Sequence, residues 1–342
     1  MAQQYASQQP PGYKNHIEKV ALVGASGQIG KHILSALLET GQHTVTAITR
    51  RTNTSTSTST RTLPLPASVT VRTVDYSDPV SLSTALLGHD ALIITMSTSA
   101  PLDQQTKLID AAAAADVPWV LPNEYGYPKT HRGLAADIPI GAKSAAYRAR
   151  IEELGRSAWL GITCGFWYEY SLAAGARFYG FDLNKRRVTF FDDGNTRINT
   201  STWPQCGRAV ARLLSLKVLP DDERDASPCL ARYRDRFVCV SSFRVSQREM
   251  LESVMRVTGT EVRDWEIGYE ASVERYKAGV EEMRKGNREG FAQLMYTRLF
   301  YQDGCGDFES SEGLLNGVLG LPVEDLDEFT RIAVEMAQEH KV

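Results

Sequence analysis

Three glycines, Gly24, Gly27 and Gly30, stand three apart between an apolar run, VALV, and a helical stretch. Glycines so placed allow a tight turn, let the backbone approach a pyrophosphate and let the helix pack closely on the strand. The helix that follows offers unpaired N–H groups and the positive end of its dipole to phosphate. Gly24, Ser26, Gly27, Gln28, Ile29 and Gly30 are therefore expected to cradle the phosphates of a dinucleotide. The end of the next strand selects which one. A carboxylate there would grip the ribose 2′-hydroxyl, whereas a cation accommodates a 2′-phosphate. This chain offers Thr49, Arg50 and Arg51, with no acid before Asp75. The planar fork of arginine suits phosphate, so NADP(H) is expected rather than NAD(H).

Tyr125 and Lys129, in PNEYGYPK, have the spacing of a tyrosine–lysine proton-transfer pair one helical turn apart. Gly126 and Pro128 lie between them, and proline inside a helix costs about 3 kcal/mol. The segment reads as a loop, and the two residues are not a dyad. Tyr125 still belongs beyond the end of a strand, where ligands bind in such sheets. By the same rule Asn123 is assigned to the cofactor and Glu124 and Tyr125 to the substrate. Thr95, Met96 and Ser97, at the end of the preceding strand, are assigned to the cofactor.

The elements that must position these residues alternate from residue 18 to 165. Strands are read in VALV, HTVTAITR, VTVRTVD, ALIITM, WVLP and WLGITCG. Helices are read from the glycine turn to Thr40, in DPVSLSTALLG, in LDQQTKLIDAAAAAD and in KSAAYRARIEELG. Alternation of this kind predicts an α/β fold, a doubly wound Rossmann sheet of parallel strands. Residues 1–16 read as a flexible tail and 17–165 as the NADP-binding domain. Residues 166–342 read mainly as a smaller α+β substrate lobe, with some segments returning to the Rossmann core. The Thr/Ser-rich RTNTSTSTSTRT reads as a mobile surface loop.

The 342 residues carry 38 basic and 41 acidic side chains, a net charge of −3 that implies no nucleic-acid partner. No apolar run approaches the roughly 20 residues that span a bilayer. The five cysteines show no C-x-x-C spacing and the six histidines no ligand spacing, so neither a disulfide framework nor a metal site is expected. The polar N-terminus shows no secretory signal, and a cytoplasmic protein is expected.

Taken in order, VGASGQIG, QQTKLIDAAAAADVPWVLPNEYG, RARIEELG, GFWYEYSL and DDGNTRINTSTWPQCGRAVARLL resemble the NmrA-like, isoflavone reductase-like branch of atypical short-chain dehydrogenases, fungal members most of all. The resemblance covers about two-thirds of the chain. It implies a Rossmann domain with a small C-terminal lobe, NADPH as cofactor, and a lysine on the helix after strand five in place of a Tyr-x-x-x-Lys pair. Lys143 is the only lysine at the start of that helix, although anchoring on IEELG sets the family position at Ser144. Lys143 is assigned to protonation and to the cofactor, with Tyr147 one turn on.

GFWYEYS places Phe166, Trp167, Tyr168 and Tyr170 where the lobe begins, and Trp203 follows in TSTWPQ. Aromatic walls suit flat, apolar ligands, so these five are assigned to the substrate. The function expected is an NADPH-dependent reductase of a small aromatic or polyketide-like molecule, acting on a carbonyl or a conjugated C=C, with hydride leaving near Thr95–Ser97. The alternatives are a dinucleotide-binding redox sensor without turnover, or a non-reductive enzyme on the same fold.

Overall fold

The computed structural model describes residues 4–50, 65–97, 100–101, 103–128 and 132–340. Arg51, Lys129 and the Thr/Ser run lie outside the described residues.

In chain order the first half contains β1 (Lys19–Val23), α1 (Gln28–Glu39), β2 (Thr44–Arg50), β3 (Thr70–Val74), α2 (Pro79–Leu86), β4 (Ala91–Ile94) and α3 (Gln104–Ala114). There follow β5 (Trp119–Leu121), α4 (Arg132–Asp137), α5 (Gly141–Leu154) and β6 (Ala158–Thr163). The second half contains β7 (Phe166–Trp167), α6 (Tyr168–Ala173), β8 (Phe181–Asp182), β9 (Arg187–Phe191), β10 (Ile198–Ser201) and α7 (Trp203–Leu214). It ends with β11 (Arg236–Cys239), β12 (Phe243–Val245), α8 (Gln247–Thr258), β13 (Glu266–Glu270), α9 (Ser272–Arg284), α10 (Glu289–Leu299), α11 (Phe308–Glu312) and α12 (Leu326–Gln338).

Seven parallel strands form the main sheet in the order β11-β6-β5-β4-β1-β2-β3. Apolar residues on both faces explain its burial. Val20 and Leu22 of β1 pack toward α1 and α7, whereas Ala21 and Val23 pack toward α2, α3 and α5. Local signals fix the helix ends. Asp78 caps α2, its carboxylate accepting from the Val80 N–H, with Pro79 in the first turn. Gly155, at φ +62°, ends α5 in the left-handed conformation.

Two segments of the second half return to the Rossmann layer. RFVCVS, legible as a short strand but not as to its sheet, supplies β11, paired parallel to β6 with Val238 opposite Ile162. Helix α7 lies against α1, and the contact depends on Gly207, where a Cβ would stand 2.4 Å from the His32 carbonyl oxygen. Two small sheets, β12-β10-β7 and β13-β9-β8, build the lobe with α6 and α8–α12. Its core is aromatic, with Tyr168, Tyr179, Phe181, Phe190, Phe191, Phe300 and Phe308 all buried. No helix among the described residues is long and apolar enough to cross a membrane.

Candidate functional site

The glycine turn closes on the exit of β4. Gly24 has φ +80°, and a Cβ there would lie 1.9 Å from the Thr95 carbonyl oxygen. Thr95 holds the turn from beneath: its hydroxyl donates to the Val23 carbonyl at 2.6 Å, and its N–H to the same oxygen at 3.0 Å. A Cβ on Gly30 would meet the Gly24 carbonyl oxygen at 2.0 Å. Among the described residues no side chain caps α1, so its first N–H groups stay available. Ser26, Gly27 and Gln28 are exposed at this helix end, while Ile29 is buried in the core beneath it. This cradle fits a pyrophosphate, with backbone donors, the helix dipole and no side chain in the way.

At the end of β2, Thr49 is half-buried and Arg50 exposed. Arg50 lies close enough to Tyr76, just beyond β3, for its charge to act on that phenol. Burial raises the Tyr76 pKa, and Arg50 works against the rise.

The exits of β4 and β5 are tied together, since Asn123 Nδ2 donates to the Met96 carbonyl at 2.9 Å. Ser97 is exposed beside them. The assignment of Glu124 to the substrate needs correction. Its side chain is fully buried, and both carboxylate oxygens accept from Arg148 of α5, at 2.5 and 2.6 Å. Arg148 sits between the rings of Trp159 and Phe237, at 5.3 and 4.9 Å. The pair fastens the β5 exit to α5 and does not face a ligand. Tyr125, next in sequence, packs against the sheet core, and its hydroxyl finds no hydrogen-bond partner among the described residues.

Helix α5 is seated by Gly141, where a Cβ would meet the Ala135 carbonyl oxygen at 2.1 Å. Its inward face carries Gly141, Ser144 and Ile151, all buried. Lys143 is exposed, one residue from the inward position. Tyr147 lies one turn along from Lys143, half-buried, its pKa raised by burial and by the charge of Asp103 at the start of α3. Further along the same flank Arg150 donates to Asp110 of α3 at 2.8 Å. Lys143 and Tyr147 thus share the side of α5 that faces α3, while Ser144 turns toward the core.

The aromatic run divides. Trp167 and Tyr170 meet Trp203, with ring centroids 6.2 and 6.0 Å from it, and His32 of α1 stacks on Trp203 at 5.8 Å. The other two turn into the lobe. Phe166 stacks on Tyr296 at 3.7 Å, and Tyr168 is fully buried with its hydroxyl 2.6 Å from that of Thr330. The substrate assignment of Tyr168 is corrected accordingly, because its ring is enclosed in the lobe core and its hydroxyl is already taken by Thr330. Alternation along β7 separates Phe166 from Trp167, and Tyr168 and Tyr170, two apart on α6, lie on opposite sides of that helix. Sequence reasoning missed Glu169, which lies between two tyrosines. It is buried, one oxygen accepts from the Trp203 backbone N–H at 2.8 Å, and burial pushes its pKa up to about 7.

A parallel sheet with a glycine cradle at the carboxyl end of its first strand defines a Rossmann-type dinucleotide-binding protein. The model of the NmrA-like family matches residues 16–185, and the chain belongs to that family. An oxidoreductase of Aspergillus flavus, aprR, is 27% identical over 314 residues, covering 91% of this chain and 96% of the relative. The solved structure of AtPrR2 with NADP+ and (+)pinoresinol superposes with a TM-score of 0.71 at 18% identity, covering 94% of this chain and all of that one. The NADPH-dependent quinone oxidoreductase QOR2 of Escherichia coli, complexed with NADPH, gives a TM-score of 0.63 at 18% identity over 91% of this chain and 98% of that one.

Proposed function

We propose that this protein is an NADPH-dependent reductase of a small aromatic or polyketide-like molecule, acting on a carbonyl or a conjugated C=C. The observation that carries the reading is the glycine cradle under an uncapped helix, α1, whose His32 stacks on Trp203, the ring that the half-buried Trp167 and Tyr170 meet. Relatives described as oxidoreductases, and solved neighbours that hold NADP+ or NADPH, support the same class of reaction.

Bound NADPH would supply the hydride. In this reading the amides at Gln28–Gly30 bind the pyrophosphate and Arg50 the 2′-phosphate. The Asn123–Met96 bond sets the spacing of the two strand exits, where the reacting ring is expected. The Glu124–Arg148 pair holds α5 against that exit, so Lys143 and Tyr147 keep a fixed approach to it. Lys143 delivers the proton that follows the hydride, directly or through a water. Aromatic side chains of the lobe exclude bulk water and stack on the substrate.

A second reading, an NADP(H)-binding sensor without turnover, is favoured by one observation. Ser144 occupies the inward position at which the family pattern sets a lysine. NADPH oxidation across quinones, aromatic ketones and enones separates the two. Turnover of at least one class with formation of reduced product supports the reductase, and NADPH binding without oxidation supports the sensor.

A further inference from the structure

Ten buried side-chain polar atoms among the described residues lack a hydrogen-bond partner, and five of them fall in one patch. They are Nε2 of His32, Oη of Tyr125, Nε1 of Trp167, Oε2 of Glu169 and Nε1 of Trp203. Buried polar groups are nearly always satisfied, so five orphans together point to something that completes them.

The patch is assembled from separate pieces of the chain. His32 comes from α1, Tyr125 from the β5 exit, Trp167 from β7, Glu169 from α6 and Trp203 from α7. The Trp203 ring meets those of His32 and Trp167, and the Trp203 backbone N–H reaches the other oxygen of Glu169. Tyr125 joins from below, near the thiols of Cys164 and Cys206, and Cys206 in turn feels the charge of Glu169. Glu169 is 2% exposed and Trp203 8%, so these are built groups and not surface side chains.

The atom types specify a ligand. Indole N–H groups only donate. His32 is neutral, because burial, helped by Lys31 and Arg208, lowers its pKa to about 4. Glu169 leaves its Oε2 without a partner in the same patch. The complement is an oxygen that accepts from an indole and gives its own proton to a carboxylate, which is a ligand hydroxyl. A ligand carboxylate would bring a second negative charge against Glu169, with Glu324 also near.

We propose that Glu169, in the patch that also holds the unpartnered indole N–H groups of Trp167 and Trp203, is a specificity-determining anchor that receives a hydroxyl of the substrate. This deepens the reductase reading and rests on it, but its test needs no turnover. Calorimetry on the NADP+-loaded protein compares 4-hydroxyacetophenone, 4-methoxyacetophenone and 4-acetylbenzoate. The hydroxy compound should bind about tenfold more tightly than either other, the discrimination expected of one buried hydrogen bond. Glu169→Gln should remove most of that preference while leaving NADP+ affinity near wild type and the melting temperature no lower than wild type. Trp167→Phe, which keeps a ring and deletes the N–H, should weaken the hydroxy compound more than the methoxy one.

Equal binding of the three compounds, no binding of any, or an intact preference in both variants would overturn the anchor, leaving water as the partner of these atoms. Turnover of a quinone or enone alongside such a result would leave the reductase reading standing. A hydroxyl preference lost in Glu169→Gln, without turnover of any substrate, would uphold the anchor and sink the reductase.

Discussion

Gly24 and Thr95 meet backbone to backbone at the mouth of the sheet. A Cβ on Gly24 would lie 1.9 Å from the Thr95 carbonyl oxygen, and the residue holds φ +80°. Neither condition tolerates a side chain. Gly24→Ala should therefore lose about 1–3 kcal/mol from backbone strain alone, before the clash is counted. Gly27 differs, with φ −73° and its nearest Cβ contact at 3.1 Å. Gly27→Ala should keep its melting temperature yet bind NADPH about tenfold more weakly, since the new methyl stands where phosphate must approach. Thermal melts and NADPH titration of both variants check this. Equal loss of stability in the two would show that the turn is only structural.

Arg50 carries the choice of nucleotide. Arg50→Ala should lower NADPH affinity by about tenfold, the scale of one charge-assisted phosphate contact, and leave NADH affinity nearly unchanged. Dissociation constants for both nucleotides test it. An unchanged NADPH preference would move the 2′-phosphate elsewhere.

Arg148 and Glu124 form a buried pair whose members are unequal in exposure, 13% and 0%. Arg148→Met should cost about 3–5 kcal/mol, because it leaves a carboxylate buried without its partner. The double variant Arg148→Met, Glu124→Gln should recover a good part of that loss. Urea unfolding of the single and double variants measures the recovery. A single variant as stable as wild type would mean that Glu124 reaches water or another cation.

Much of this arrangement was legible in the sequence, and the reason is locality. The glycine turn, the Asp78-Pro79 helix start and the apolar strands all signal through neighbouring residues. The parts that were not legible depend on distant partners. Glu124 looked available because its cation lies 24 positions away. Tyr168 looked like a pocket wall because Thr330, 162 positions on, was not visible as its partner. Strand β11 and helix α7 join the Rossmann layer only after the chain has built half of the lobe. Glu169 carried no motif at all, and its character comes wholly from burial.

Burial of Glu169 has a consequence for pH. Its pKa rises from 4.5 to about 7 on folding, first through loss of solvation. The folded state therefore holds this proton more tightly than the unfolded chain. Its contribution to stability is greatest below about pH 4.5 and declines as pH rises toward 7, by on the order of 3 kcal/mol. Glu169→Gln lacks the titration. The variant should gain on wild type as pH rises from 5 to 8, on the scale just given. Denaturant midpoints of both proteins across that range test it, and parallel profiles would show that Glu169 stays ionised when folded.

The central claim is that hydride passes from NADPH to a carbon of the substrate. The direct measurement uses NADPH deuterated at nicotinamide C4, in each of its two stereochemical forms, with an aromatic ketone or enone that the protein consumes. Mass spectrometry of the product should show one deuterium from one form and none from the other. Tight NADPH binding with no consumption of any acceptor, and no deuterium in any product, would contradict the claim.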